Sequence, residues 1–186
     1  MSGDEYYRPA DARLCQGDLL DAIPSAHLRS PIEALKAVSL RGNRRGFEAY
    51  TWAEAIAGNV AGVRFDFSRG EHVAAFCQSS RAVVLSYDCE IDQDSKHLLV
   101  ALVRPLGVVQ EPENRRVIRE NRNFSFWYLP SDDRFQLVDS YVDLRRLTCL
   151  DQSFVNGSRK LASLASDAVR SLQRQIMLYL TRREPL

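Results

Sequence analysis

The sequence predicts an α+β fold: a small, strongly bent antiparallel sheet or barrel, decorated by short helices and closed by a long C-terminal helix. Three observations carry this. First, two nearly continuous apolar runs, Arg81-Ala-Val-Val-Leu-Ser-Tyr87 and His97-Leu-Leu-Val-Ala-Leu-Val103, flank a short acidic connection. That pattern suits two strands buried on both faces. Second, further strand-like stretches recur on either side of this pair. Third, from about Ser158 to Arg182 the residues Leu161, Leu164, Ala165, Ala168, Val169, Leu172, Ile176 and Tyr179 fall in one helical arc, with Arg159, Lys160, Asp167, Arg170 and Arg174 opposite.

Taken in order, residues 1–13 read as a loose N-terminal arm, and 14–186 as a single domain. Gln16-Gly17-Asp18-Leu19-Leu20 is a turn into a short apolar stretch that Pro24 ends. Ser30-Pro31-Ile32-Glu33 combines a capping serine, a first-position proline and a capping-box glutamate, so it predicts a helix to about Val38. Arg41-Gly-Asn-Arg-Arg-Gly46 is a basic loop. Thr51-Trp52-Ala53-Glu54 is a second capping box, with Gly58-Asn59 ending its helix. Val63, Phe65 and Phe67 share one face of an alternating strand, and 73–77 adds a short one. After the central pair, 110–123 is an arginine-rich loop or exposed helix. Phe124-Ser-Phe-Trp-Tyr-Leu129 is aromatic strand material, Pro130-Ser-Asp-Asp133 is a turn, and 134–138 returns as the other arm of a hairpin. Residues 141–144 form one more strand. Met177 and Leu178 land on the polar side of the final helix, which predicts that another element or a partner chain embraces its end.

Composition bounds the function. The chain has 186 residues, 45% hydrophobic and 26% charged, which suffices for a real core. A net charge of +1 gives no global attraction to nucleic acid or membrane, so any such binding rests on local charge. Twenty-two arginines stand against three lysines. Arginine suits bidentate phosphate contacts, though a GC-rich genome is the plainer source of the bias. The longest apolar run, 98–103, is too short to cross a bilayer. Residues 1–9 lack a basic-then-apolar leader pattern, which predicts a cytoplasmic protein. There Cys15, Cys77, Cys89 and Cys149 stay reduced, and no Cys-x-x-Cys pair points to structural zinc.

The densest group of ligand-type residues is Asp88, Cys89, Glu90, Asp92, Asp94 and His97. Cys89 and His97 are a candidate nucleophile–base pair, but their spacing matches no standard metal site. The plainer reading is a polar hairpin loop, and no cofactor or metal is expected. Arg81 and Arg104, at ends of the two central strands, are candidates to clamp a phosphate or a developing negative charge. The alternative is a strand-end arginine paired with Asp18 or Asp88. Arg41, Arg44 and Arg45 in their loop, and 115–122, are candidates for backbone phosphates, with Trp52, Phe126, Trp127 and Tyr128 as stacking rings. The alternative for these is a solvated charged face and core aromatics. No phosphate-binding loop, dinucleotide fingerprint or nucleophile elbow is present.

Gly17-Asp18-Leu19, then Arg81-Ala-Val-Val-Leu-Ser86, then Val100-Ala-Leu-Val-Arg-Pro105 resembles the strand skeleton of the PemK/MazF-type toxins. Those are SH3-like barrels that cut RNA without a metal. The stretch from Val84 to Glu90 is also similar to one found in uncharacterised bacterial proteins. The resemblance implies an SH3-like barrel and a nucleic-acid-acting or nucleic-acid-binding protein of toxin–antitoxin or phage-defence type, with or without RNase activity. It implies Arg81, Ser86, Asp88 and Arg104 as catalytic candidates, with Asp18 beside them in binding. RNA or DNA is the partner this reading expects. The alternative is a non-catalytic protein–protein interaction module of a bacterial multi-component system, joined to a partner or a second copy through the C-terminal helix.

Overall fold

The computed structural model describes residues 6–27, 33–40, 44–57, 65, 72–74, 76–93 and 96–182. Its strands are β1 (Tyr7–Arg8), β2 (Asp18–His27), β3 (Glu33–Leu40), β4 (Arg44–Thr51), β5 (His72–Ala74), β6 (Phe76–Val84), β7 (His97–Pro105), β8 (Phe126–Leu129), β9 (Ser140–Asp151) and β10 (Arg159–Leu164). The helices are α1 (Trp52–Ala57), α2 (Asp88–Asp92), α3 (Pro112–Arg119), α4 (Gln152–Asn156) and α5 (Ser166–Thr181). Where the sequence reads as one domain over 14–186, the chain divides into two compact units. One is Met1–Ile23 with Ser79–Leu186, and the other is Pro24–Gln78. Among the described residues no helix is long and apolar enough to cross a membrane.

The first unit is built on a seven-stranded sheet of order β1-β10-β2-β6-β7-β9-β8. The described pairings are antiparallel, and with its helices the fold is α+β. At its centre Arg81 to Val84 pair with Val103 to Val100. Burial alternates there between two cores. Ala82, Val84, Leu98, Val100 and Leu102 face one, while Val83, Leu85, Ala101 and Val103 face the other. The continuous apolar runs therefore arise because both faces are covered. On one side lies α5, with Ala168 and Leu172 packed among Trp127, Leu144 and Leu164. On the other lie Ile91 of α2 and Val155 of α4. Full burial of a side chain such as Leu172 contributes about 1.5–3 kcal/mol. A smaller third core holds Ile118 of α3 against Leu106 and Tyr141.

The sheet bends at irregular points. Register shifts interrupt β7–β9 at Ala101/Leu102 and β10–β2 at Lys160/Ala162. Ala22 in β2 has φ 58°. Among the described residues no pairing joins edge strands β1 and β8, so the sheet is open and does not close into a barrel.

Several local expectations change. The capping pattern at Ser30 predicts a helix to Val38, yet Glu33–Leu40 is a strand. It is hydrogen-bonded on both sides, to β4 and β5, and this pairing outweighs the local signal. Residues 159–164 of the predicted long helix form β10, and α5 begins only at Ser166. The predicted return arm at 134–138 is a tight turn. A 3-10 segment, Asp133–Phe135, is followed by Gln136 at φ 52°, and the partner of β8 is β9. The acidic connection contains helix α2. β2 runs through Pro24 to His27. The arm is not loose from Tyr6 onward: Tyr7 is buried, pairs with Leu164, and donates to the Pro130 carbonyl at 2.7 Å.

The second unit carries a three-stranded sheet, β4-β3-β5, with Glu33 to Leu40 opposite Thr51 to Arg44. Its second capping box forms as read. The Thr51 amide donates to the Glu54 carboxylate at 2.9 Å, and the Glu54 amide donates to Thr51 Oγ1 at 3.3 Å. Phe65 meets Tyr50 edge-on and lies under the Lys36 ammonium. The alternating strand expected around Phe65, the helix stop at Gly58-Asn59 and the start of the first capping box lie outside the described residues.

Candidate functional site

Two hollows of the first unit take up Arg81 and Arg104 on one hand and Ser86, Glu90 and His97 on the other, at opposite ends of the segment Arg81–Ser86. The first, about 380 Å³, is lined by Arg81 and Arg104 together with Asp21, Ser79, Ser80 and Ser140. β6 delivers Arg81 and β7 delivers Arg104, because Arg81 is in register with Val103, the residue before Arg104. Arg81 is held in place. Its guanidinium donates to the Gln136 carbonyl at 3.1 Å and faces the Asp21 carboxylate at 3.7 Å. The strand-end pairing expected with Asp18 or Asp88 is thus made by Asp21 instead. Arg104 is half-buried, and among the described residues no carboxylate pairs with it. A fixed Arg81 beside serine hydroxyls suits an oxyanion, with the Arg104 guanidinium placed to donate in bidentate fashion.

The second hollow, about 630 Å³, lies where β6 ends and α2, β7, β9 and α5 meet. Its walls are Leu85, Leu99, Ile176, Met177 and Leu180. Polar groups ring them. Ser86 is buried, and its Oγ accepts from the Leu99 amide at 2.9 Å, which extends the β6–β7 ladder past its last strand residue. Gln16 donates to the Leu85 carbonyl at 2.6 Å and accepts from Gln173 of α5 at 2.6 Å, tying the helix to the sheet. Tyr87, Glu90, His97 and Cys149 complete the rim. Asp88, the first residue of α2, accepts from the Gln16 amide at 2.7 Å and so anchors that turn.

Asp18 belongs to neither hollow. It is fully buried, and its carboxylate meets Lys160 Nζ at 2.7 Å, Ser163 Oγ at 2.5 Å and the Cys15 amide at 2.7 Å. It closes the turn and joins β2 to β10. Gly17 sits at φ +85°, where a Cβ would approach Val169 Cγ2 to 2.9 Å. The Gly-Asp pair is thereby explained by packing. Nearby, burial first and then Asp88 and Asp18 push the Cys15 thiol up.

The binding candidates of the second unit fall differently. Arg44 and Arg45 belong to β4, in register with Leu40 and Ser39, so the expected loop is a strand from Arg44 onward. Arg41 lies outside the described residues. The arginines of 115–122 are matched locally: Arg116 with Glu113, Arg119 with Asp139, Arg122 with Glu120, and Arg115 with the Val109 carbonyl. Trp127 is core, stacked on Tyr6, with its Nε1 donating to Ser171 at 3.1 Å. Phe126 packs edge-on to Tyr141 under the Arg145 guanidinium. Tyr128 donates to Asp139 at 2.8 Å, and burial, then this bond, raises its hydroxyl to about 12.

The structure therefore unites Arg81 with Arg104, and separates both from Ser86 by about 16 Å of extended chain. Cys89 is exposed on α2 and does not line the second hollow; Cys149 does, beside His97. Among the described residues no group of three or more His, Cys, Asp or Glu side chains is placed to hold a metal. Gln16, Gln173 and Cys149 were not singled out from sequence. They come together only through the β7–β9 register and the seat of α5, which no local pattern encodes. A scan against protein-family models gives no match to this chain, and a search of the curated proteins gives none either.

Proposed function

We propose that this protein binds nucleic acid, with RNA the first choice, by gripping backbone phosphate in the Arg81–Arg104 hollow. The single observation that carries the reading is Arg104: a half-buried residue whose guanidinium has no carboxylate partner among the described residues, next to a second arginine held by Asp21 and three serines. A guanidinium without a carboxylate partner keeps its fork of donors open to an anion. Phosphate is the anion for which the arginine fork is shaped. The resemblance of the Gly17, Arg81 and Val100 segments to PemK/MazF-type toxins supports the same class, as a toxin–antitoxin or phage-defence protein. The finer fold reading that goes with it is a strongly bent, unclosed relative of an SH3-like barrel, a reading supported by the register shifts at Ala101/Leu102 and Lys160/Ala162, which curve a sheet. Catalysis is a separate matter, since Ser86 and Asp88 stand far from the arginines.

The test is an anisotropy titration of fluorescent single-stranded RNA and duplex DNA at two salt concentrations, with the probes then checked for cleavage. Wild type binds more weakly as salt rises, and Arg104→Ala loses about tenfold in affinity and about one unit of the salt slope. Absent or salt-insensitive binding would retire the proposal.

One observation favours a second reading, a protein-interaction module. Tyr87, Met177 and Leu180 are 53%, 45% and 62% exposed around the mouth of the larger hollow. This surface would be covered by a partner or a second copy. Sedimentation of wild type against Leu180→Asp tests it: a concentration-dependent oligomer lost in the variant supports it, and a monomer at all concentrations with no partner counts against it.

A further inference from the structure

From the β7–β9 register we infer that Cys149, His97 and Asp151 form a nucleophilic thiol site that opens into the larger hollow and takes an ester or thioester of an apolar acyl group. His97 stands directly opposite Asp151, and Cys149 directly opposite Leu99, two residues further along β7. Residues two apart on a strand share a face, so His97, Leu99, Cys149 and Asp151 all lie on the α5 side of the sheet. Diagonal neighbours on such a ladder are about 7 Å apart at the backbone, within reach of an imidazole. By register His97 thus stands between the thiol and the carboxylate, opposite Asp151 and diagonal to Cys149, which is the order a nucleophile, a base and an orienting acid require.

The surroundings fit the same use. Cys149 and His97 both line the hollow and both are exposed, so a substrate can reach them. Leu85, Leu99, Ile176 and Met177 offer an apolar bed of about 630 Å³, ample for a short acyl chain. Cys89 is exposed too but does not line this cavity, so it is an internal control.

The chemistry balances without a further reagent. The Cys149 sulfur attacks the acyl carbon, an S–C bond forms, and the bond from that carbon to the leaving oxygen or sulfur breaks. The thiol proton passes through His97 to the leaving group. Water, deprotonated by His97, then attacks the acyl-thioester. The carboxylic acid departs and the proton returns to the sulfur.

The experiment uses the full chain and 4-nitrophenyl butyrate. A burst of nitrophenolate approaching one per protein is expected, with the butyryl mass on the peptide that contains Cys149. Cys149→Ala abolishes the burst, and His97→Gln slows it about 100-fold. Circular dichroism checks that both variants remain folded, as expected for exposed positions. No burst from wild type, acyl label on Cys89 or Cys15 instead, or a burst indifferent to His97→Gln would each overturn the assignment.

Discussion

The two ends of the segment Arg81–Ser86, the second half of β6 and the turn after it, carry opposite chemistry. At Arg81 the strand opens on a hollow of arginines and serines. Past Val84 it opens on a leucine-lined cavity with a thiol and an imidazole at its rim. The interior between them is the same for both, two layers of aliphatic side chains alternating across one sheet. The difference teaches that a buried strand works as a rigid spacer. It fixes what stands at each end and prevents the ends from sharing one reaction.

The comparison is broken most severely by removing what holds both ends in place. Asp18→Ala strands the Lys160 ammonium, which is only 14% exposed, without its buried carboxylate. Loss of one partner of a buried pair costs about 3–5 kcal/mol. Thermal melting is expected to show it, with RNA binding and the thiol reaction lost together. Gly17→Ala is next. It forces a side chain into φ +85° and against Val169, for a loss above about 1 kcal/mol in denaturant titration.

Ser86→Ala sharpens the comparison. It removes the acceptor of the Leu99 amide and is expected to cost about 1 kcal/mol, while RNA affinity stays unchanged because the phosphate hollow is at the far end. Equal loss of RNA binding in Ser86→Ala and Arg104→Ala would show that the ends are coupled after all.

The smallest effect is a pH dependence. Burial above all holds the Tyr6 and Tyr7 hydroxyls well above the usual phenol value of 10. In the unfolded chain they ionise near 10, so the folded state binds more protons above that pH. Their contribution is complete below about 10 and is lost as pH rises through the folded values. Stability measured from pH 9 to 11 should fall, and Tyr7→Phe should flatten the fall.

Much of this was legible in the residues, where the signal was local or doubly buried. The pair at 81–103 reads as two-sided burial because both faces are covered. The box at Thr51 reads as a helix start because its two hydrogen bonds are within one turn. Arg81 and Arg104 were also legible, each as the charged end of an apolar run. Other features depend on partners distant in the chain. Glu33–Leu40 has a helix signal in front of it, but two neighbouring strands satisfy its backbone. Arg159–Leu164 looked helical because Ala162, Ser163 and Leu164 are all buried in a strand lined by neighbours on both edges, and Leu161 and Leu164 happen to stand three apart. Asp18 looked like a site residue because a carboxylate after glycine fits either a turn or a ligand. Lys160 and Ser163, far along the chain, decide between them.

The chain leaves the first unit through β2 and returns through β6, and these two strands are neighbours in the sheet. Residues 24–78 are therefore an insertion at a single junction, and the order of the other strands does not depend on them. Lengthening a connection between neighbouring strands adds little entropy, about 0.6 kcal/mol for each doubling. A fold with such a junction can acquire, exchange or shed an accessory module while the segment Arg81–Ser86 keeps its chemistry at both ends.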